Sequence, residues 1–320
     1  MVAPAQVGGR VKNWLWALLL LLFAVPTRAG TYYVTVAGLG GEPDYEQRFT
    51  GLAKDLDKLF KASSTEAHVY TLMGADSNRA HMTDILNTIA REAKPEDDFV
   101  LILIGHGTYD GVQYKFNLAG PDISAEELAS LCNHIPSKRQ LIINTTSSSG
   151  GSIPALQKAG RAVITATKSG TEKNATVFAR YWVEALQDPT ADMDKNEVIT
   201  ALEAFQYADR KTAEFYDSQK RLATEHPNFE DTGKGQPVRA AATDTGEGLL
   251  LSTFTVLRMG AAQQAANDPA KRELMAKKEE LEQKIDVLKY QKAAMDPGDY
   301  KTQLTQALVD LARVQEDLDK

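Results

Sequence analysis

The chain has 320 residues, of which 43% are hydrophobic, and this is enough for one large α/β domain with an appendage. Its formal net charge is −7 and its basic residues form no stripe, which argues against nucleic acid as a partner. Cys132 is the one cysteine, so no disulfide can form within the chain, and we expect its side chain to be buried as a small apolar group.

The first 29 residues have the composition of a secretory signal peptide. Arg10 and Lys12 precede an apolar run over residues 14–25, and Thr27-Arg28-Ala29 resembles a cleavage site. The run of about twelve apolar residues is short for a bilayer span, which needs roughly twenty. We therefore predict a signal peptide over residues 1–29 and export to the periplasm or the exterior, with an uncleaved membrane anchor as the alternative.

The next elements alternate between strands and helices. Residues 31–37 predict a first strand, and a glycine turn leads from it into a helix over residues 44–61. The turn glycines do not have the spacing of a phosphate-binding loop. A second strand over residues 68–72 and a second helix over residues 78–94 follow.

A third strand ends in an imidazole. The apolar run over residues 99–104 leads directly into Gly105-His106-Gly107 and predicts a buried strand. Asp110-Gly111 marks the turn of a small hairpin after it. Ser124 and Glu127 then predict a capping box at the start of a helix.

A fourth strand ends in a serine-rich turn. The strand begins near Gln140, the turn reads Thr145-Thr146-Ser147-Ser148-Ser149-Gly150-Gly151, and a helix begins near Ile153. Parallel strands present their carboxyl ends at the same edge of a sheet, where open α/β folds bind ligands. We therefore expect His106 and Ser147 to lie close together in one cleft.

These motifs resemble the legumain and caspase-like cysteine peptidases, over roughly residues 31–235. The resemblance implies a caspase-like α/β fold, with a mostly parallel sheet and helices on both of its faces. It also implies a peptide or protein substrate, His106 as the general base, and an oxyanion hole formed by the amides around Gly107 and Ser147. The family motif Asp-Ala-Cys-x-Ser-Gly places Ser147 where the family has its nucleophilic cysteine, and Ser148 and Ser149 leave this register open by one residue.

A second motif, at residues 192–203, matches the calcium loop of an EF-hand. Asp192, Asp194, Asn196 and Glu203 stand at its oxygen-bearing positions and predict a Ca²⁺ site. Glu197 stands where such a loop has glycine for its sharp turn. The alternative is that these polar residues only cap the helix that follows. No other cofactor is expected.

The last part of the chain predicts one more strand and a helical tail. The strand covers residues 249–257, and apolar residues then recur at heptad-like steps on both sides of Asp296-Pro297-Gly298. This pattern favours a helical hairpin or coiled coil over residues 265–320, following an α/β domain over residues 30–260. The hairpin is expected to self-associate, to bind a partner, or to pack on its own domain.

Two functions fit the sequence. The first is an exported caspase-like or legumain-like peptidase that uses Ser147 as nucleophile and His106 as base. A serine hydroxyl is far harder to ionise than a thiol, whose free pKa is about 8.5, and no acidic residue is recognisable as an orienting third member. The second is a catalytically inactive pseudo-peptidase that acts as a protein-binding module.

Overall fold

The computed structural model describes residues 29–233 and 235–320. The predicted signal peptide, apart from Ala29, lies outside the described residues. Among the helices of the described part, none is both long and apolar enough to cross a membrane.

The strands form one large sheet and two small ones within the described residues. The large sheet contains β1 Thr31–Ala37, β2 Ala67–Leu72, β3 Asp98–Ile104, β7 Arg139–Asn144, β8 Arg161–Thr165 and β10 Asn228–Glu230. The small sheets contain β4 Gly107–Tyr109, β5 Tyr114–Phe116 and β6 Ile123–Ser124 in one, and β9 Val198–Thr200 with β11 Thr255–Arg258 in the other.

The large sheet has the order β10-β8-β7-β3-β1-β2. Its strands run parallel except at one edge, where β10 is antiparallel to β8. Ala37 pairs with Ile104, and Leu103 pairs with Asn144, so β1, β3 and β7 end level with one another. Whatever follows these strands therefore lies at one carboxyl edge.

Helices cover both faces of this sheet. They are α1 Pro43–Ser63, α2 Arg79–Glu92, α3 Ala125–His134, α4 Ile153–Leu156, α5 Phe178–Ala185, α6 Ala201–Ser218, α7 Leu249–Thr253, α8 Gly260–Asn267, α9 Arg272–Gln291 and α10 Pro297–Leu318. One hydrophobic core lies between the sheet and α1, α5 and α6, and the other lies between the sheet and α2 and α3. The predicted mostly parallel sheet with helices on both faces is confirmed.

Strand β3 shows why the central sequence is almost continuously apolar. Ile102 and Ile104 point into the core that contains α1, whereas Leu101 and Leu103 point into the core that contains α2. Side chains alternate along a strand, so a strand that is covered on both faces needs apolar residues at every position.

Several local predictions agree with the structure. Ser124 and Glu127 form the predicted capping box of α3. Strands β4 and β5 form the hairpin predicted at Asp110-Gly111. Cys132 is fully buried, and this burial raises the pKa of its thiol to about 11.

The strand predicted over residues 249–257 is wrong in its first half, which is helix α7. The Asp231 carboxylate accepts the backbone N–H groups of Gly248, Leu250 and Leu251 at 2.9–3.4 Å. A carboxylate satisfies the unpaired N–H groups of a helical first turn, so a distant acid fixes this segment as helix. Only Thr255–Arg258 remains a strand.

The tail forms a hairpin that packs on the α/β domain. The Lys271 ammonium, beside the start of α9, donates to the Leu318 carbonyl at the end of α10, so the two helices are antiparallel. Arg258 of β11 forms two hydrogen bonds with the Glu279 carboxylate of α9, at 2.5 and 2.7 Å. Pro297 does not end a helix but begins α10, because Asp296 caps the Gly298 and Asp299 N–H groups.

Candidate functional site at the carboxyl edge of the sheet

The residues after β1, β3 and β7 adjoin one another. The Gly38 N–H donates to the Ile104 carbonyl at 2.8 Å, and the Thr145 N–H donates to the Leu103 carbonyl at 3.0 Å. His106 and Ser147 lie just beyond these bonds. The sheet therefore brings together the two segments that the sequence analysis singled out.

The Ser147 hydroxyl is bonded to the backbone of a single glycine. Its Oγ donates to the Gly107 carbonyl at 3.0 Å and accepts the Gly107 N–H at 3.1 Å. Ser147 is only 4% exposed. The one proton of this hydroxyl is committed to Gly107 and not to a base.

The β4–β5 ladder explains why Gly107 needs this partner. The Asn117 N–H donates to the His106 carbonyl, and the Asp110 N–H donates to the Gln113 carbonyl. In an antiparallel ladder the hydrogen-bonded residues alternate, so Gly107, which lies opposite Phe116, directs its N–H and C=O away from β5. Ser147 supplies both missing bonds.

Gly107 also allows the two segments to approach closely. A Cβ atom at this position would lie 2.5 Å from the Ser147 carbonyl oxygen and 2.6 Å from the Tyr114 ring. Real Cβ contacts are never this short, so only glycine fits between the serine turn and the hairpin.

His106 is held from the opposite direction, by α1. Its ring packs edge-on against Tyr45 and Phe49, with ring centroids 4.7 and 5.2 Å away. Burial lowers the pKa of His106, a hydrogen bond to the Gly40 backbone opposes this shift, and the nearby Arg48 lowers the pKa further. The ordinary pKa of histidine is about 6.5, so this lowering favours the neutral imidazole at pH 7.

Within the described residues, no hydrogen bond joins the His106 ring to the Ser147 Oγ. Asp110 does not serve as a third member, because its carboxylate accepts the Val112 and Gln113 N–H groups in the hairpin turn. The Glu46 carboxylate contacts the glycine turn after β1, where it accepts the Gly40 N–H at 3.0 Å. It acts on the backbone that holds the imidazole and not on the imidazole.

The other two serines of the turn have different surroundings. Ser148 has a left-handed backbone with φ of 57°, and its fully buried Oγ has no hydrogen-bond partner in the described part of the chain. The Ser149 Oγ lies 3.2 Å from the Thr167 Oγ1. Of the three serines, Ser147 is the one whose hydroxyl contacts the segment of His106.

A buried polar network lies beneath the turn, and no local sequence pattern indicates it. The Tyr114 hydroxyl lies 2.6 Å from the Thr146 Oγ1 and donates to the Asn144 side chain at 3.2 Å. The Asn144 amide donates in turn to Ser152. Burial strongly raises the pKa of Tyr114. This network joins the serine turn to strand β5 of the hairpin through buried hydrogen bonds.

A second imidazole lies at the rim of the site. The His226 Nδ1 lies 2.5 Å from the Glu172 carboxylate, and the Glu172 carbonyl accepts the Ser148 N–H at 2.8 Å. Fifty-four residues separate Glu172 from His226, so no local spacing could have indicated the pair. The pair attaches the segment before β10 to the serine turn.

The predicted calcium loop brings its carboxylates together. Oxygen atoms of Asp192, Asp194 and Glu203 all lie within 4.8 Å of one another. Burial, followed by the negative charge of Glu203, raises the pKa of Asp194 to about 6. A hard cation such as Ca²⁺ binds clusters of carboxylate oxygens like this one, because it offsets the repulsion between their negative charges.

The structure explains how Glu197 can replace the glycine that an EF-hand loop has at this position. Glu197 adopts φ of 65°, the left-handed conformation that a glycine would take at this turn, and its N–H donates to Asp192 at 2.9 Å. Its carboxylate accepts the Ala262 N–H at the start of α8. Glu203 and Thr200 also form the capping box of α6. The same loop therefore both caps this helix and brings the three carboxylates together.

Comparisons with known proteins give structural likenesses only. No family model matches the sequence, and no curated protein matches it. A protein from Geobacter sulfurreducens is 12% identical with a TM-score of 0.44, over 65% of this chain and 95% of its own. The Drosophila initiator caspase Dronc is 13% identical with a TM-score of 0.40, over 65% and 81% of the two chains. Caspase-1 from Spodoptera frugiperda is 13% identical with a TM-score of 0.44, over 64% and 86%.

At this level of similarity, the structural matches do not indicate an activity, a substrate or the role of any residue. The chemistry of the site therefore depends on its own geometry. The site contains the His106 imidazole, whose pKa is lowered, and the Ser147 hydroxyl, which donates to the Gly107 carbonyl. The Gly107 N–H already donates to Ser147.

Proposed function

We propose that this protein is an exported caspase-like or legumain-like pseudo-peptidase, which binds a peptide or protein and does not cleave it. The observation that carries the proposal is the pair of hydrogen bonds between the Ser147 hydroxyl and Gly107. These bonds make the serine a structural connection between two strand ends.

Catalysis would require three changes at this position. The Ser147 proton would have to leave the Gly107 carbonyl and pass to an imidazole that is bonded to the Gly40 backbone. The Gly107 N–H, which the resemblance assigns to the oxyanion hole, would have to exchange Ser147 for the substrate. The nucleophile would also need solvent access that a 4% exposed serine lacks.

The surface beside His106 supports a role in binding. Leu39 is 48% exposed on the turn after β1, and the partly exposed rings of Tyr45 and Phe49, on the helix that follows this turn, pack against His106. Exposed apolar and aromatic side chains at the carboxyl edge of a sheet are suited to holding an extended peptide. We propose that this edge is the binding cleft.

Binding is tested with the native chain on an array of immobilised peptides. We expect Leu39→Asp to abolish the binding of the peptides that the unmodified chain retains, because a charge would replace an apolar contact of the cleft. Leu222→Asp is the matched control, since Leu222 is 92% exposed and lies on the loop after α6. Equal binding by both variants would contradict the location of the cleft.

The absence of hydrolysis is tested with a fluorophosphonate probe, which phosphonylates activated serines with loss of fluoride. We expect no covalent labelling of the unmodified chain, with or without calcium, because the Ser147 proton is not shared with a base. Labelling that is lost in Ser147→Ala and in His106→Ala, and kept in Ser218→Ala, would establish the peptidase instead. One feature favours that second candidate, namely the neutral His106 on the segment that contacts Ser147.

We further propose that the loop at Asp192, Asp194, Asn196 and Glu203 binds a structural Ca²⁺ ion. The clustered carboxylates support this proposal, and so does the backbone at Glu197. The loop is joined to the tail, since the Lys278 ammonium donates to the Asn196 carbonyl at 3.3 Å. Calcium would therefore stabilise the contact between the α/β domain and α9.

Partner binding through the tail remains a proposal from the sequence pattern. The apolar residues of α9, such as Leu281 and Leu288, are buried within the chain. Leu308 and Val309 of α10 are exposed and form the surface that a partner or a second copy would cover.

A further inference from the structure

A buried carboxylate holds the backbone nitrogen of Gly30 at the amino edge of the sheet. The Gly30 N–H donates to the Asp97 Oδ1 at 2.7 Å, and Asp97 is 5% exposed. The other oxygen of Asp97 accepts the Lys94 N–H at 2.8 Å. The Gly30 carbonyl accepts the Asp98 N–H at 2.9 Å, so Gly30 is fixed on both sides.

Asp97 lacks a cation to balance its charge. Across residues 29–233 and 235–320, no lysine, arginine or histidine side chain forms an ion pair with it, whereas the adjacent Asp98 pairs with Arg139 at 3.3 Å. The two backbone N–H groups satisfy the oxygens of Asp97 but bring no net positive charge, and hydrogen bonds from charged donors stabilise a carboxylate more than those from neutral ones. An ammonium at the position of the Gly30 nitrogen would supply the missing charge.

Space for such an ammonium exists beside Gly30. A cavity of about 330 Å³ opens there, and its lining includes Ala29, Gly30 and Asp98. Ala29 is exposed, whereas Gly30 is buried. Protons of an ammonium that do not bond to Asp97 could be hydrated in this cavity.

We propose that the Ala29–Gly30 peptide bond is the processing site of this chain and that the new α-ammonium of Gly30 forms a buried ion pair with Asp97. An export peptidase hydrolyses the bond with one water molecule. The hydroxyl of the water completes a carboxyl group on Ala29, which leaves with the preceding segment, and its hydrogen goes to the Gly30 nitrogen. An α-amino group has an ordinary pKa of about 7.7–8.0, so it takes up one more proton at neutral pH.

The inference rests on the proposed export and is independent of the cleft, which lies at the opposite edge of the sheet. Asp97 then has a role that the sequence alone does not indicate. Before cleavage, Asp97 accepts an ordinary amide N–H, and after cleavage it accepts a charged donor, which forms a stronger hydrogen bond.

The first test expresses the full chain in a secreting bacterial host and determines the amino terminus of the product by mass spectrometry. We expect the product to begin at Gly30. An uncleaved chain, or a terminus at any other residue, would overturn the proposal. Fluorophosphonate labelling reports on the cleft alone, so failure of one proposal is distinguishable from failure of the other.

The second test is a double-mutant cycle on the processed chain and on the same chain with Ala29 retained. We expect loss of Ala29 to raise the folding equilibrium constant about tenfold with Asp97 present and less than twofold in Asp97→Asn. Asp84→Asn, on the exposed face of α2, should leave the tenfold effect intact. Equal effects with and without the Asp97 carboxylate would overturn the ion pair.

A third measurement covers the case in which Asp97→Asn does not fold. The Gly30 amine of the processed chain should react with acetic anhydride at pH 8 at least tenfold more slowly than in the urea-unfolded chain, because the ion pair keeps it protonated. Equal rates would overturn the proposal.

Discussion

Ser147→Ala is expected to destabilise the protein by about 1–3 kcal/mol. The substitution removes one hydroxyl and leaves both the N–H and the C=O of buried Gly107 without their partner. Because β5 cannot supply these bonds, the cost is that of two unsatisfied backbone groups, reduced where water enters. Urea unfolding monitored by circular dichroism should show a lower midpoint with an unchanged slope.

The same experiment separates the two functional hypotheses. Removal of a catalytic nucleophile is commonly neutral or stabilising, since active-site groups are kept for activity at a cost in stability. A midpoint that is unchanged or raised in Ser147→Ala would therefore favour the peptidase. Ser218→Ala is the matched control: it removes an exposed serine hydroxyl that bonds to the Phe215 carbonyl, and its midpoint should hardly change.

Calcium is expected to raise the melting temperature by roughly 5–10 °C when its free concentration is about 100-fold above the dissociation constant. At that concentration, binding to the folded state contributes about 2.7 kcal/mol. The ion would offset the repulsion among Asp192, Asp194 and Glu203, which lie within 4.8 Å of one another. Differential scanning calorimetry with calcium and with a chelator measures the difference.

Isosteric variants test whether the loop is the site. Asp194→Asn and Glu203→Gln should each remove most of the calcium-dependent shift, because each deletes a negative charge of the cluster. Asp244→Asn removes an exposed acid elsewhere and should keep the full shift. If all three variants respond equally to calcium, the ion binds elsewhere and the loop only caps α6.

The effect of pH follows from the raised pKa of Asp194. Its pKa rises from 3.8 to about 6 in the folded chain, through burial and the charges of Glu203 and Asp192. Without calcium, the folded state therefore binds more protons than the unfolded state between these values, and the free energy of unfolding falls as pH rises through this window. Calcium binds the ionised carboxylates, so its stabilising effect should be present at pH 7 and largely lost at pH 5.

The sequence by itself determined the elements with strong periodicity. Apolar runs with glycine or polar ends specified the central strands, since a strand covered on both faces must be apolar at every position. Ser124 and Glu127 specified a helix start, because a capping box acts within four residues. The His106 and Ser147 segments could be placed at one edge for a similar reason: parallel strands share the edge at which they end.

Contacts between distant segments were decided only by the tertiary structure. Asp231 determines that residues 249–253 are helical, and its effect is invisible in a window around those residues. The sequence is compatible with Ser147 as a nucleophile, whereas in the folded chain Gly107 accepts the proton of its hydroxyl and donates an N–H to its oxygen. Local patterns record which side chains are available, whereas hydrogen-bond partners depend on which backbone groups the folded chain leaves unpaired.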